Sequence, residues 1–284
     1  MSVDRDFVED QEEGAAASSP LSADASDFAD SAGSPLKRDL VAGLEKGLSV
    51  IAAFDQERPR LTISEVASRT GLTRAAARRY LLTLTHLGFV SQDRKMFSLT
   101  AKVLRLGQSY LHSARLPRIV EPELQKLAYT VKEVSMAGVL DGDDVICIAA
   151  TTAGRVVSTV PQPGMRVPAY CSGVGRVLMA AMPEDELEAF IARQELTPLT
   201  SHSITEPDRL RQEIARTRAQ GYACVDQELE IGLRALAVPL KNYRGEVVSA
   251  MNVLVHQSRL SLDQMVEQCL PQLLHTQAHL RMLL

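Results

Sequence analysis

Thr73, Arg74, Ala75, Arg78 and Arg79 stand within seven residues of one another in the 284-residue chain. On a helix, Arg74 and Arg78 are one turn apart and Arg79 lies beside them, so short and cationic groups share one face that no acid interrupts. Such a face can bond phosphate oxygens and the edges of bases in the major groove of double-stranded DNA. Thr62, upstream, and Arg94 and Lys95, downstream, extend the same candidate DNA-contact set.

A second chemistry is offered by Ser172 and Gly173, which open a helix in the reading PAYCSGVGRVLMA. The first N–H groups of a helix have no partner within it, and its dipole favours negative charge, so a carboxylate fits there. Arg155, Arg166, Arg176 and Arg234 are candidates for a second charged clamp, each equally readable as a structural or surface pair. Asp226 and Glu228 either bond ligand hydroxyls or hold a turn.

Catalytic patterns are missing. GVGRVL lacks the third glycine and preceding strand of a dinucleotide loop, no GxxxxGK[ST] occurs, and CSGVG is not the GxSxG of a nucleophile elbow. His275 and His279 share a helix face, but HTQAH has no glutamate for zinc-protease chemistry. Cys147, Cys171, Cys224 and Cys269 are widely spaced and form no CxxC pair, which reads as buried free thiols. No metal, cofactor or catalytic residue is expected; a nucleophilic Cys171 beside Arg176 is the one enzymatic reading left.

The elements that position these groups follow from periodicity. Residues 39–54 carry Leu40, Leu44, Leu48, Ile51 and Ala52 at three- and four-residue spacing, a supporting first helix. Thr62 with Glu65 three residues later signs a capping box for a short helix ending near Thr70. Gly71 breaks it, and Thr73 caps a second helix to about Leu87 whose inward face is Ala76 or Ala77, Tyr80, Leu81, Leu84 and Leu87. FVSQDRKMFSL then alternates around Asp93-Arg94-Lys95, the wing of a winged helix-turn-helix.

Beyond a linking helix over 101–116 and an amphipathic helix over 121–133, short β-rich runs alternate with helices at 172–182, 183–192, 207–220 and 262–283. RVVSTV is one of those runs, and Asp141-Gly142 and Arg244-Gly245 mark hairpins. The fold class is therefore α+β multidomain, with a mainly antiparallel sheet in the second domain. Charge divides along the same lines. Residues 1–36 hold nine acids and one base, a disordered acidic tail, whereas residues 37–100 hold eleven bases and six acids, the DNA-binding domain. Residues 101–116 link it to an effector-binding and oligomerisation domain at 117–284. No apolar run is long enough for a membrane span and the start is unlike a signal peptide, so a cytoplasmic protein without membrane contact is expected.

The blocks ERPRLTISEVASRTGLTRAAARRYLLTLTHLGFV, PGMRVPAYCSGVGRVLMA and GYACVDQELEIGLRALAVPLKNYRGEVVSAMNV, in that order, resemble the IclR (isocitrate lyase regulator) family of bacterial transcription factors. PAYCSGVGR and VDQELEIGLRALAVP are similar to the subgroup that regulates the protocatechuate and β-ketoadipate routes of aromatic catabolism. The resemblance implies a GAF/profilin-like effector domain, a homodimer or homotetramer on operator DNA, activation or repression with contact to RNA polymerase, and no catalysis. It also implies effector contacts at Tyr170, Cys171, Ser172, Gly173, Asp226, Glu228, Ala235, Asn252 and Leu254, for a small carboxylate or aromatic acid. A constitutive DNA-binding protein whose second domain only oligomerises is the alternative.

Overall fold

A computed structural model of the chain describes residues 40–55, 57–152 and 161–284; the acidic tail, RVVSTV and Arg155 lie outside them. The chain divides after Leu99 into two compact units.

The first unit contains α1 (Ala42–Ala52), α2 (Ile63–Thr70), α3 (Arg74–His86) and the antiparallel pair β1 (Val90–Asp93) and β2 (Met96–Leu99). Thr62 caps α2 in a full capping box with Glu65, and Gly71 ends it in the left-handed conformation at φ 67°, where glycine carries no Cβ penalty. Thr73 caps α3 by accepting from the Ala76 N–H at 3.2 Å. Val66, Ala77, Leu81, Leu84, Val90 and Phe97 close one core.

Two expected faces differ. On α1 the packed side is not the leucine stripe: Gly43 and Gly47 lie over the Tyr80 ring, followed by Val50 and Ala53 in the core. Leu40, Leu44 and Leu48 stay 53%, 63% and 52% exposed. Helical spacing fits both stripes, and the bulk of Tyr80 selects the one with small residues. On α3, Leu87 is the C-cap and is exposed rather than inward.

The second unit opens with a 3-10 turn at Ala101–Val103 and α4 (Leu104–Ser113). Ala114 is extended, so α4 ends there and α5 (Arg115–Val131) starts earlier than the spacing predicts. Pro117 falls in its first turn, where no N–H is needed. A six-stranded antiparallel sheet follows in the order β5-β4-β3-β8-β7-β6. Its strands are β3 (Val134–Asp141), β4 (Asp144–Thr151), β5 (Arg166–Pro168), β6 (Ala223–Asp226), β7 (Leu233–Lys241) and β8 (Val247–His256). The expected hairpins join β3 to β4 and β7 to β8. The edge strand β5 carries no sequence signal beyond one β-former, Val167, just before Pro168.

Side chains alternate across the sheet. Leu236, Val238, Met251 and Val253 pack with α5 and α9 (Leu262–Arg281). Ala237 and Ala250 face α6 (Gly173–Ala180), α7 (Glu184–Arg193) and α8 (Pro207–Gln220). The start of α6 comes very close to its surroundings. A Cβ on Gly173 would stand 3.2 Å from the Cβ atoms of Ala235 and Ala237, and one on Gly175 would stand 2.2 Å from the backbone oxygen of Ala169. Gly175→Ala therefore has no side chain to push aside and must move backbone. The expected loss is about 1–3 kcal/mol or more of stability, measured by urea unfolding; an unchanged midpoint would contradict the close approach.

Candidate functional site

The cationic face of the first unit is open. Thr73, Arg74, Ala75, Arg78 and Arg79 are all exposed along the first turns of α3. Arg74, Arg78 and Arg79 make no ion pair among the described residues, and neither do Arg94 and Lys95 at the turn between β1 and β2. In the second unit several arginines are engaged: Arg193 holds Asp143, Arg211 holds Glu188 and Asp208, Arg218 holds Glu184, and Arg259 holds Glu133. Arg60 reaches the wing beside its turn, meeting Asp93 at 2.7 Å. Arg94 is left-handed at φ 54°, a conformation costly for a residue with a Cβ.

Thr62, Arg94 and Lys95 share one cleft, formed where the start of α2 meets the wing. The Thr62 side chain and N–H are taken by the Glu65 carboxylate. That bonding holds the Glu65 carboxyl below its ordinary range, the Thr62 backbone N–H being the largest cause.

In the second unit, a mostly apolar cavity lies between the sheet and the start of α6; the empty space, mouth included, is about 650 Å³. One wall is Cys171, Ser172, Gly173 and Val174. The sheet supplies Met136, Cys147, Val225, Ala235, Asn252 and Leu254, and Met165, Val167, Leu229, Glu230 and Leu233 close the sides. Ser172 is the N-cap of α6 and accepts from the Gly175 N–H at 3.0 Å. The Arg176 N–H bonds the Ser172 carbonyl, which leaves the N–H groups of Gly173 and Val174 free of helix bonding. Asn252 Oδ1 is buried without a hydrogen-bond partner among the described residues.

Six of the nine expected effector residues, Cys171, Ser172, Gly173, Ala235, Asn252 and Leu254, thus meet around one space. Tyr170, Asp226 and Glu228 do not line it. The Tyr170 hydroxyl donates to the Thr197 carbonyl at 2.6 Å. Asp226 receives Arg234 at 2.8 Å, and that pairing holds its carboxyl below the ordinary range. Glu228 accepts both terminal nitrogens of Arg176, each at 2.8 Å, and Arg176, 1% exposed, also donates to the Tyr170 carbonyl. Of the charged clamps expected from sequence, Arg166 bonds Asp141 and Asp144 at the sheet edge, and Arg176 and Arg234 are consumed by these carboxylates. Among the described residues the cavity wall holds no cation, and the groups it offers an anion are backbone N–H groups. Met136 and Cys147 escaped sequence reading because only strand pairing turns them toward α6.

The thiols are locked in the protonated form. Burial pushes both Cys147 and Cys171 up to about 12, and Cys224 and Cys269 to about 11. No helix of the described residues is long and apolar enough to cross a membrane. Nor do the described residues hold a cluster of three His, Cys, Asp or Glu side chains able to bind a metal.

An exposed cationic helix on a winged helix-turn-helix, carried on the same chain as a second unit with an apolar cavity between its sheet and a helix start, defines a transcriptional regulator that reads DNA and a small molecule. The chain belongs to the IclR family: residues 43–94 match the IclR helix-turn-helix domain and residues 108–280 match the bacterial transcriptional regulator IclR C-terminal domain. It is 40% identical over 237 residues to the Pca regulon regulatory protein of Pseudomonas putida, covering 83% of this chain and 81% of that one. A transcriptional regulator of Rhodococcus sp. RHA1 is 41% identical, with TM-score 0.74 over 85% of this chain and 97% of the other. The inducer-binding domain of the transcription factor PobR from Acinetobacter, a double mutant in complex with 3-hydroxybenzoic acid, is 27% identical, with TM-score 0.57 over 60% of this chain and all of that one.

The thiols generate a pH expectation. An unfolded thiol ionises near 9, whereas the folded ones hold their protons to about 11 or 12, so above pH 9 unfolding releases protons and stability falls as pH rises. A Cys147→Ala, Cys171→Ala double variant loses less of its urea midpoint than the native chain between about pH 7.5 and about pH 10. Equal losses in both would show that these thiols are not held protonated by the fold.

Proposed function

We propose that this chain is a ligand-responsive regulator of genes for aromatic-acid catabolism, in which a small carboxylate or aromatic acid in the second unit changes the affinity of the first for double-stranded operator DNA. The observation that carries the reading is the cluster of exposed cations on α3 and at the wing, Arg74, Arg78, Arg79, Arg94 and Lys95, none of which makes an ion pair among the described residues. Thr62, Thr73 and Ala75 complete the contact surface, with α3 in the major groove and the wing on the backbone or minor groove. Similarity to the Pca regulator and to the hydroxybenzoate-bound domain supports the aromatic assignment.

The protein works as a homodimer or homotetramer in the cytoplasm, with contact to RNA polymerase where it activates. Exposure of Leu44 and Leu48 on α1 and of Leu40 just before it, a stripe a second copy can bury, supports self-association. Residues 101–116 link the DNA-binding and effector domains, and the effector acts by changing the spacing of two recognition helices.

Two measurements test this reading. Arg78→Ala is expected to weaken binding to the chain's own upstream DNA by about 1–3 kcal/mol, and Arg94→Ala to reduce the slope of log affinity against log salt by about 1. Fluorescence anisotropy at several salt concentrations reports both. In the same assay, an aromatic acid shifts operator affinity, because an effector must bind two states differently. A compound that binds tightly yet leaves operator affinity, DNA bending and transcription unchanged would leave only the constitutive, oligomerising alternative.

A further inference from the structure

We propose that the acidic segment at residues 1–36 is an intramolecular competitor for DNA, seated on the cationic face of α3 and the wing of its own chain until DNA displaces it; this rests on the DNA reading above and adds a control to it. Arg74, Arg78, Arg79, Arg94 and Lys95 are exposed and make no ion pair among the described residues. Nearby acids of the same unit are committed elsewhere. Asp55 bonds Arg69, Asp93 bonds Arg60 at 2.7 Å, and the Glu65 carboxylate takes the Thr62 N–H and hydroxyl. The largest block of acids in the unit is residues 1–36, with nine acids against one base. They fall in two groups, six between Asp4 and Glu13 and then Asp24, Asp27 and Asp30.

The point of attachment makes the encounter local. The acidic segment precedes α1, and a Cβ on Gly43, in the first turn of α1, would stand 3.9 Å from the Tyr80 hydroxyl of α3. Tyr80 follows Arg79 directly and lies about 9 Å along the helix from Arg74, at about 1.5 Å per residue. A chain spans at most about 3.3–3.6 Å per residue, so even Asp30, the acid of the block nearest α1, reaches up to about 40 Å from it. One exposed ion pair contributes little, but several in parallel on a tethered segment compete at an effective concentration on the order of mM. Carboxylates and phosphates then exclude each other from the same cations. DNA that displaces the segment releases fewer counterions, which flattens the salt dependence of binding.

The test compares the full-length chain with a full-length variant in which the nine carboxylates of residues 1–36 are exchanged for amides, Asp→Asn and Glu→Gln. Fluorescence anisotropy reads the affinity of each for the chain's own upstream DNA and for a duplex of unrelated sequence. At about 50 mM salt the neutralised chain is expected to bind both at least about tenfold more tightly, with a slope of log affinity against log salt steeper by about 2, and the two chains converge as salt rises. In parallel, a carbodiimide joins tail carboxylates of the native chain to the Lys95 amine within one chain, and added DNA suppresses that product. Equal affinities at every salt concentration would overturn the proposal while leaving the DNA reading intact. Tighter binding by the variant with no Lys95 product would mean that the segment repels DNA from a distance, and the proposal fails. Products that join two chains only would place another copy's segment on the face and overturn the assignment to its own chain. No DNA binding by either chain would overturn the DNA reading as well.

Discussion

The approach of α6 to the sheet is the constraint on which the second unit depends. Gly173 rests on Ala235 and Ala237, and Gly175 is pressed against the backbone of Ala169. Three consequences follow from that contact. The helix start is brought to the sheet surface, its first residues Gly173 and Val174 line the cavity, and Arg176 is carried into the interior to meet Glu228. The pair ties α6 to the segment after β6, whose Leu229 and Glu230 form another wall of the cavity. A buried ion pair adds little net stability compared with apolar replacements, because both ions lose water. Its effect is geometric: two bidentate bonds and the Tyr170 carbonyl fix where the segment lies, and Thr200 and Ser203 hydroxyls bond the Gln227 and Glu228 carbonyls from the other side.

Charge is organised by whether it is paired. The second unit places many of its arginines, Arg166, Arg193, Arg211 and Arg218 among them, on carboxylates, several of them exposed, where each pair contributes little to stability. The first unit leaves its recognition-helix arginines without acids, and α3 has no acid in its first turn. Net charge of the whole chain, -4, conceals this arrangement, since affinity for DNA depends on local cations that displace counterions from phosphates.

Local signals made much of this legible before the structure. The capping box of Thr62 and Glu65, the turn glycine Gly71, the Thr73 cap and the wing are formed by residues close in sequence, and each was readable from spacing. The two hairpin turns of the large sheet were readable for the same reason. What spacing did not reveal was the choice among faces. Residues 40–54 contain a leucine stripe and a glycine-containing stripe, and only the presence of Tyr80, some thirty residues away, selects the second. The cavity divides in the same way. Ser172 and Gly173 were visible as a helix start, but Met136 and Cys147 depend on strand register, and the occupation of Arg176, Arg234, Asp226 and Glu228 by one another depends on contacts 8 to 52 residues apart.

That mutual occupation changes what kind of sensor the cavity can be. Had the arginines lined it, affinity would rest on charge pairing, which is strong but tolerant of any acid of suitable size. With Arg166, Arg176 and Arg234 consumed, the groups the described wall offers an anion are backbone N–H groups fixed by α6, with the Asn252 amide on the facing strand. Neutral donors in fixed positions discriminate by geometry and by unmet hydrogen bonds more than by attraction. The same arrangement suits a switch. An effector can move an equilibrium only by its difference in affinity between two states, and couplings of about 1–3 kcal/mol suffice for a regulatory response. A site whose affinity comes from the register between α6, the sheet and the Leu229–Glu230 segment loses that affinity when the register changes, whereas a site built on flexible charged side chains would follow the movement and sense little of it.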